Sequence, residues 1–310
     1  MSPREHTTPL TPKPPWLRRR LPAGATHAQI EGMINQDRLH TVCQEARCPN
    51  IWECFSKRTA TFLIMGSRCT RNCRFCAVSE GPLAPPDPDE PARVAAAVAK
   101  MGLKYVVVTS VTRDDLPDGG SSHFAQTIAA IRRRIPDARI EVLIPDFQGD
   151  PQALQTVIAA RPDVLNHNVE TVPRLYPTVR PQAVYHRSLE LIARARDYDP
   201  LLATKSGLML GLGEAPQEVR ATLQDLLEVG CHILTLGQYL QPSQDHLPVV
   251  RYIPPEEFAD WRQTALAMGF TEVASGPFVR SSYHAHELYQ TLKPQRDATG
   301  QAKPAHGFRV

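Results

Sequence analysis

Three cysteines within eight residues, Cys69-Thr70-Arg71-Asn72-Cys73-Arg74-Phe75-Cys76, constrain this chain more than any other stretch. Thiolates are soft ligands that favour zinc or iron–sulfur centres. At C-x3-C-x2-C spacing, one loop can hold three irons of a [4Fe-4S] cube and leave the fourth iron without a protein ligand. An iron left open in this way binds a substrate or cofactor; a site closed by four protein ligands does not. Two plainer readings compete: buried structural thiols, and three ligands of a zinc site. Zinc wants a fourth ligand at a set distance, and none follows Cys76 at close range.

A second triplet precedes the first: Cys43-x4-Cys48-x5-Cys54. Its spacing matches neither the first triplet nor the ferredoxin patterns. With six thiols in two groups, two clusters of three cysteine ligands each is a simpler reading than one shared metal, with zinc or a structural role as the alternative. Seven cysteines in a secreted chain would raise disulfides; these spacings favour metal ligation in a reducing cytoplasm. The formal charge of +3 is too small to imply a polyanionic partner, and 6% aromatic content weighs against a base-stacking surface, so nucleic acid is not expected. No apolar run approaches the ~20 residues of a membrane span. Arg18-Arg19-Arg20 has no apolar core behind it, so no secretory signal is expected, and the prolines around it weaken the case for a transit peptide.

With 310 residues, the chain suits one large α/β domain with extensions, or two domains. Met1 to about Ala23, rich in Pro, Thr and Arg, reads as an extended arm or a floppy tail, and burying the adjacent Trp16 and Leu17 would tip the balance toward an anchored arm. From residue 60 onward, strand and helix alternate. Strands are expected at 61–65, 105–108, 140–144, 164–165, 202–210 and 233–236, with a further one at 271–274. Helices are expected at 91–101, 122–135, 151–160, 183–195, 216–229 and 255–268. In the first helix Val94, Ala97, Val98 and Met101 recur at i, i+3, i+4, i+7. Near-continuous apolar strands imply a parallel sheet covered by helices. Six β-then-α steps fit a partial (β/α)6 TIM-like barrel with N-terminal and C-terminal extensions; a doubly wound sheet gives a similar string. The expected division is 1–59, carrying the second triplet; 60–275, the partial barrel; and 276–310, a C-terminal extension.

In α/β barrels the chemistry sits where strands end. The first strand delivers the Cys69 loop. The second delivers Asp114, Asp115, Asp118, Gly119 and Gly120, acids that could bind an ammonium group and glycines that allow close backbone approach, although such residues taken singly read first as turns or caps. The fourth delivers Asn166-His167-Asn168-Val169-Glu170, where Asn168 and Glu170 can hold hydroxyls or an amino group. His167 reads as a hydrogen-bonded structural histidine rather than a proton carrier. Gly211-Leu212-Gly213-Glu214 is too short for a dinucleotide fingerprint. Cys231 reads as a buried core residue.

The Cys69 loop, with aromatic Phe75 before its last cysteine, resembles that of the radical S-adenosylmethionine enzymes. Five stretches together resemble the lipoyl synthase family within that superfamily. They are Glu45-Ala46-Arg47-Cys48-Pro49-Asn50, the Cys69 loop, the run from Asn166 to Tyr176, Gly237-Gln238-Tyr239-Leu240-Gln241-Pro242, and the run from Gly276 through Arg280-Ser281-Ser282-Tyr283 to Ala285. The likeness runs from about Lys13 to Ala285. Arg58 and Gln182 stand where that family's pattern has glycine.

The resemblance implies two sulfur insertions, at C6 and C8 of an octanoyl chain. That chain is amide-linked to a lysine of a lipoyl carrier domain, such as a 2-oxoacid dehydrogenase E2 subunit or the glycine-cleavage H protein. It implies that Cys69, Cys73 and Cys76 hold the cluster that binds S-adenosylmethionine, with Phe75, Asn168 and Glu170 as cofactor contacts. There an electron from the cluster cleaves the sulfonium to give a 5′-deoxyadenosyl radical. It implies that Cys43, Cys48 and Cys54 hold an auxiliary [4Fe-4S] cluster, the sulfur donor. The fourth ligand of that cluster is a serine, Ser282, with Ser281 as runner-up. It further implies an electron donor such as ferredoxin or flavodoxin. Arg280 is expected to steer the serine motif or to bind the substrate backbone.

Overall fold

The computed structural model describes residues 12–18, 25–57 and 59–291. Most of the expected N-terminal arm, Arg58 and the end of the C-terminal extension lie outside these residues. Within the arm Leu17 is buried as expected, but Trp16 is 40% exposed, so one of the two anchoring side chains stays in solvent.

In chain order the elements are α1 (Ala25–Gln36), β1 (His40–Thr41), α2 (Val42–Glu45), α3 (Ile51–Ser56), β2 (Thr61–Ile64), β3 (Arg68–Cys69) and β4 (Ser79–Glu80). There follow α4 (Glu90–Met101), β5 (Tyr105–Ser110), α5 (Ser121–Arg134), β6 (Arg139–Leu143), α6 (Pro151–Ala159) and β7 (Val164–Asn166). The remainder are α7 (Tyr176–Val179), α8 (Tyr185–Tyr198), β8 (Ala203–Leu210), α9 (Pro216–Glu228), β9 (Ile233–Gln238), α10 (Pro255–Met268), β10 (Glu272–Gly276) and α11 (Ala285–Thr291).

Helix boundaries follow local chemistry. Pro91, Pro151, Pro216 and Pro255 each open a helix, where a missing N–H leaves no bond unmade. Asp150 accepts from the Gln152 N–H ahead of α6, and Glu218 accepts from the Ala215 N–H at the start of α9. Gly102 closes α4 in the left-handed region.

The main sheet runs β1-β2-β5-β6-β7-β8-β9-β10, and every pair is parallel except β1 with β2. This order never reverses, which separates it from the doubly wound alternative. Right-handed crossovers in one direction put all the helices on one side and curl the sheet. The fold is the partial (β/α)6 barrel, with β10 as a seventh parallel strand and β1 as an antiparallel edge. The barrel interior carries a buried polar network. Lys205 Nζ contacts both Glu141 carboxylate oxygens at 2.9 and 3.2 Å, and Asn166 and Tyr105 donate to the same carboxylate. Cys231 is buried and its Sγ donates to the Ile233 carbonyl, as expected of a core thiol.

Candidate functional site

The short parallel pairing of β3 with β4 sets Cys69 beside Glu80 and pinches the base of the Cys69–Cys76 loop. The loop is then pinned from several sides. Thr70 N–H and Oγ1 both donate to the Thr112 carbonyl, Arg74 N–H donates to Val179 O, and His246 Nε2 contacts Cys76 O at 3.0 Å. Gln182, which replaces the expected glycine, accepts from the Asn72 N–H at 2.7 Å, so its side chain serves the loop directly. Cys69 Sγ accepts from the N–H groups of Arg71 and Thr112 at 3.4 and 3.3 Å.

Arg71 enters a buried ion-pair network beside the loop. It bonds Asp114 at 2.6 and 2.9 Å and Asp146 at 2.6 Å. Burial alone would raise the Asp146 carboxyl, but Arg71's hydrogen bond and charge overcome this and hold it at about 2. A depressed carboxyl stabilises the fold fully above its unfolded value of about 4, and that contribution is lost as pH falls toward about 2. Asp146→Ala should lower stability by ~3–5 kcal/mol, because Arg71 and Arg187 then face the gap. A denaturant melt at pH 7 with an unmoved midpoint would refute this.

These pairs favour the turn-and-cap reading of the loop after β5 over the ligand-binding one. Asp114 and Asp115 are taken by Arg71 and Arg113, and Asp118 accepts from the N–H groups of Gly120 and Ser122 at the start of α5. Gly119 and Gly120 pack on Phe147 and Met65. The acids of this loop are committed to the fold and not held out for an ammonium ligand. Glu214 likewise folds back onto the Gly211 and Leu212 N–H groups and closes a turn. His167 is buried, with one ring nitrogen on the Ile144 carbonyl and the other on Ser188 Oγ. Burial and the nearby Arg180 push it down to about 4, so it stays neutral, in keeping with a structural histidine.

A cavity of about 960 Å³ opens at the C-terminal ends of the strands and is lined by all six cysteines of the two triplets. Phe75, Asn168, Glu170, Arg180, Ser281 and Ser282 also line it. Phe75 packs against an apolar cluster that includes Val179, Tyr239 and Val249. Asn168 is buried, and its Nδ2 donates to Glu170 Oε1 at 3.0 Å and to Ser281 Oγ at 2.6 Å. Glu170 adopts a left-handed backbone (φ 65°) that only surrounding structure sustains in a non-glycine residue. Burial raises its carboxyl against the lowering pull of Arg180 and Asn168. Two buried atoms in this wall, Asn168 Oδ1 and Arg180 Nε, have no protein partner, leaving one acceptor and one donor for a ligand.

The second triplet comes from α2, the turn after it and α3, and Cys43 lies in the core beneath them. Residues 276–285 cross the barrel mouth as a strap and touch both neighbours. Val279 O lies so close to Gly237 that a Cβ there would sit 2.2 Å from it. Asn50 donates to Phe278 O at 2.7 Å, and Tyr283 OH donates to Glu53 at 2.9 Å. Arg280 Nη1 donates to Val279 O, so this arginine helps shape the strap. Thr61 was missed at the sequence level: its N–H faces the Cys43 thiol while its Oγ1 donates to Ser282 Oγ at 2.8 Å. A threonine opening a strand gives no pattern that marks it.

The donor set fits iron–sulfur clusters. Burial, then the neighbouring cysteines, push Cys43 up to about 12. Cys76 is raised to about 12 for the same reasons, and Cys73 to about 11 by burial despite the lowering effect of Arg180. Thiols so placed ionise when a cationic metal centre neutralises them together. Among the described residues no three His, Cys, Asp or Glu side chains close around a single metal ion.

Comparison with known proteins bears on the chain's family. Residues 63–226 match the radical SAM superfamily, and residues 3–48 match the N-terminal domain of lipoyl synthase. The structure resembles HydG, a maturase of the [FeFe]-hydrogenase, with a TM-score of 0.51 and 17% identity over 73% of this chain and 58% of that one. It also resembles Streptococcus suis SuiB bound to S-adenosylmethionine, with a TM-score of 0.50 and 10% identity over 73% and 54%. Both likenesses speak to the fold alone. Lipoyl synthase of Desulfotalea psychrophila is 59% identical over 92% of this chain and 95% of that protein. That of Rubrobacter xylanophilus is 57% identical over 93% and 89%. On this identity, spread over nearly the whole length, the chain belongs to the lipoyl synthase family.

Proposed function

We propose a division of labour within the one cavity. Cys69, Cys73 and Cys76 hold the cluster that meets S-adenosylmethionine, and Cys43, Cys48 and Cys54 hold the auxiliary [4Fe-4S] cluster with Ser282 as its fourth ligand. The reaction is the family's: sulfur insertion at C6 and C8 of an octanoyl chain carried on a lysine of a lipoyl carrier protein. When bound, the clusters and S-adenosylmethionine supply the one-electron chemistry that reaches an unactivated methylene C–H, together with the sulfur itself.

The chain's own residues hold and separate these parts. Glu170, Asn168 and Arg180 offer a carboxylate, an amide oxygen and a guanidinium N–H to the cofactor's amino, hydroxyl and carboxylate groups. Phe75 walls the loop on its apolar side. Thr61 brings Cys43 and Ser282 to one point, and that single observation carries the choice of Ser282, since Ser281 is bonded instead to Asn168 on the other wall. The division at 59/60 and 275/276 follows the same logic, with both extensions supplying the auxiliary site and the barrel supplying the cofactor site. No helix among the described residues is long and apolar enough to cross a membrane. A cytoplasmic setting, E2 or H-protein carriers and a ferredoxin or flavodoxin donor complete this reading.

A hard serine oxygen matches iron–sulfur chemistry less well than thiolate does, so Ser282 makes the donor cluster easy to take apart. Ser282→Cys should leave cleavage of S-adenosylmethionine within about twofold while slowing sulfur insertion by ~10-fold or more, a barrier rise of ~1.4 kcal/mol. A single-turnover assay reads both products, and unchanged insertion would count against the assignment.

A further inference from the structure

Two adjacent serines of the strap face opposite walls of the cavity. Ser282 Oγ accepts from Thr61 on β2, beside the Cys43 thiol. Ser281 Oγ accepts from Asn168 Nδ2 at 2.6 Å, just past the end of β7. Asn168 has two amide protons and both are engaged, one by Ser281 and one by Glu170. What remains on this side chain is Oδ1, buried and without a partner. A ligand group that donates to Oδ1 leaves both donor bonds in place and fixes the plane of the amide. Fixing that plane also holds Ser281, and Ser281 is one peptide away from Ser282. Arg280 of the strap also brings its charge near Glu170 on this wall, while further bonds run to Asn50 and Glu53 of the N-terminal extension and a close approach is made to Gly237.

We propose that Ser281 is a positioning residue whose hydrogen bond to Asn168 couples occupation of the cofactor end of the cavity to the seating of Ser282 at the auxiliary end. The inference rests on Asn168 facing the cofactor and Ser282 facing the auxiliary cluster. Coupling between two binding events is reciprocal, so each end changes the affinity of the other by the same factor. Cofactor binding therefore tightens the strap, and a seated strap tightens cofactor binding. This order suits the chemistry, because the sulfur-donating end is held firm only when the cofactor is present.

The test uses the full chain with both clusters reconstituted anaerobically. Backbone hydrogen exchange across residues 279–285 is followed with and without S-adenosylmethionine, alongside iron content per chain and the cofactor's dissociation constant. In the native chain the cofactor should slow exchange of the strap by ~5-fold or more, within the usual range of coupling factors. In Ser281→Ala that slowing should fall below about twofold, and cofactor affinity should weaken by the same factor that the coupling loses. Ser281→Thr keeps the hydroxyl and should restore both, so a general packing defect is distinguished from loss of the bond. Cofactor-dependent protection that survives in Ser281→Ala would overturn the proposal, as would a loss of protection that threonine fails to rescue. Iron content separates this outcome from the assignment beneath it. If Ser282→Ala leaves the spectrum of the auxiliary cluster unchanged, Ser282 is not its ligand, whatever Ser281 does.

Discussion

Gly237→Ala leaves the barrel folded and empties the auxiliary site. An alanine Cβ at this position would lie 2.2 Å from Val279 O and 3.3 Å from an Arg280 guanidinium nitrogen. The first contact is with backbone, so no side-chain rotation relieves it and the strap itself must lift. Gly237 lies in β9, whose six residues are all buried, and the strand's ladders to β8 and β10 hold it in place. The strap is the softer partner and gives way. Ser281 and Ser282 lie two and three residues beyond Val279, so a lift there breaks their bonds to Asn168 and Thr61. Iron content after reconstitution should fall from about eight toward about four per chain, with the Cys69 loop still loaded. Sulfur insertion should fall by ~100-fold or more, equivalent to ~2.7 kcal/mol or more in barrier. Gly32→Ala is the control. It lies inside α1 with nothing near its missing Cβ, and alanine there should stabilise the chain by ~0.5–1 kcal/mol. Native iron content in Gly237→Ala would show that the strap does not depend on this close approach.

The barrel was legible because its signals are local. Runs such as Tyr105-Val106-Val107-Val108 are strands for reasons of side-chain shape, and helices such as α4 open at a proline and repeat apolar residues on one face. The N-terminal extension carries no such signal. Its α2 and α3 have four and six residues, too few for any period to show, and they are held by contacts such as buried Phe55. The partner that Asp114 takes is not legible in the sequence. Arg71 lies 43 residues before Asp114, inside the cysteine loop, and nothing in the spacing ties the two together. Gln182 reads as a departure from a family pattern, yet its bond to the Asn72 N–H gives it work that sequence alone does not reveal. Neighbouring serines pose the same difficulty in its plainest form. One residue of offset in a crossing strap sends Ser281 to one wall and Ser282 to the other, and only the chain's path decides which goes where.

Removing each triplet in turn should separate the two halves of the chemistry. Changing Cys69, Cys73 and Cys76 together to alanine should abolish formation of 5′-deoxyadenosine, lowering it by ~1,000-fold or more, or ~4 kcal/mol in barrier. Iron should drop from about eight to about four per chain. Changing Cys43, Cys48 and Cys54 should remove a similar share of iron and all dithiolane product, yet leave 5′-deoxyadenosine formation within a few-fold of native. The fold should survive both, since these thiols surround a cavity and the sheet's own ladders lie below them. Loading itself should report the same partition. Cys43 and Cys76 are held near 12 and Cys73 near 11 without metal, so each site must release protons as it fills. Raising pH from about 7 to about 8.5 should therefore speed reconstitution of the native chain, and each triple variant should lose part of that acceleration. If either variant lost all its iron, or if both lost 5′-deoxyadenosine equally, the six thiols would serve one centre, and the division of the cavity into a radical end and a sulfur end would be wrong.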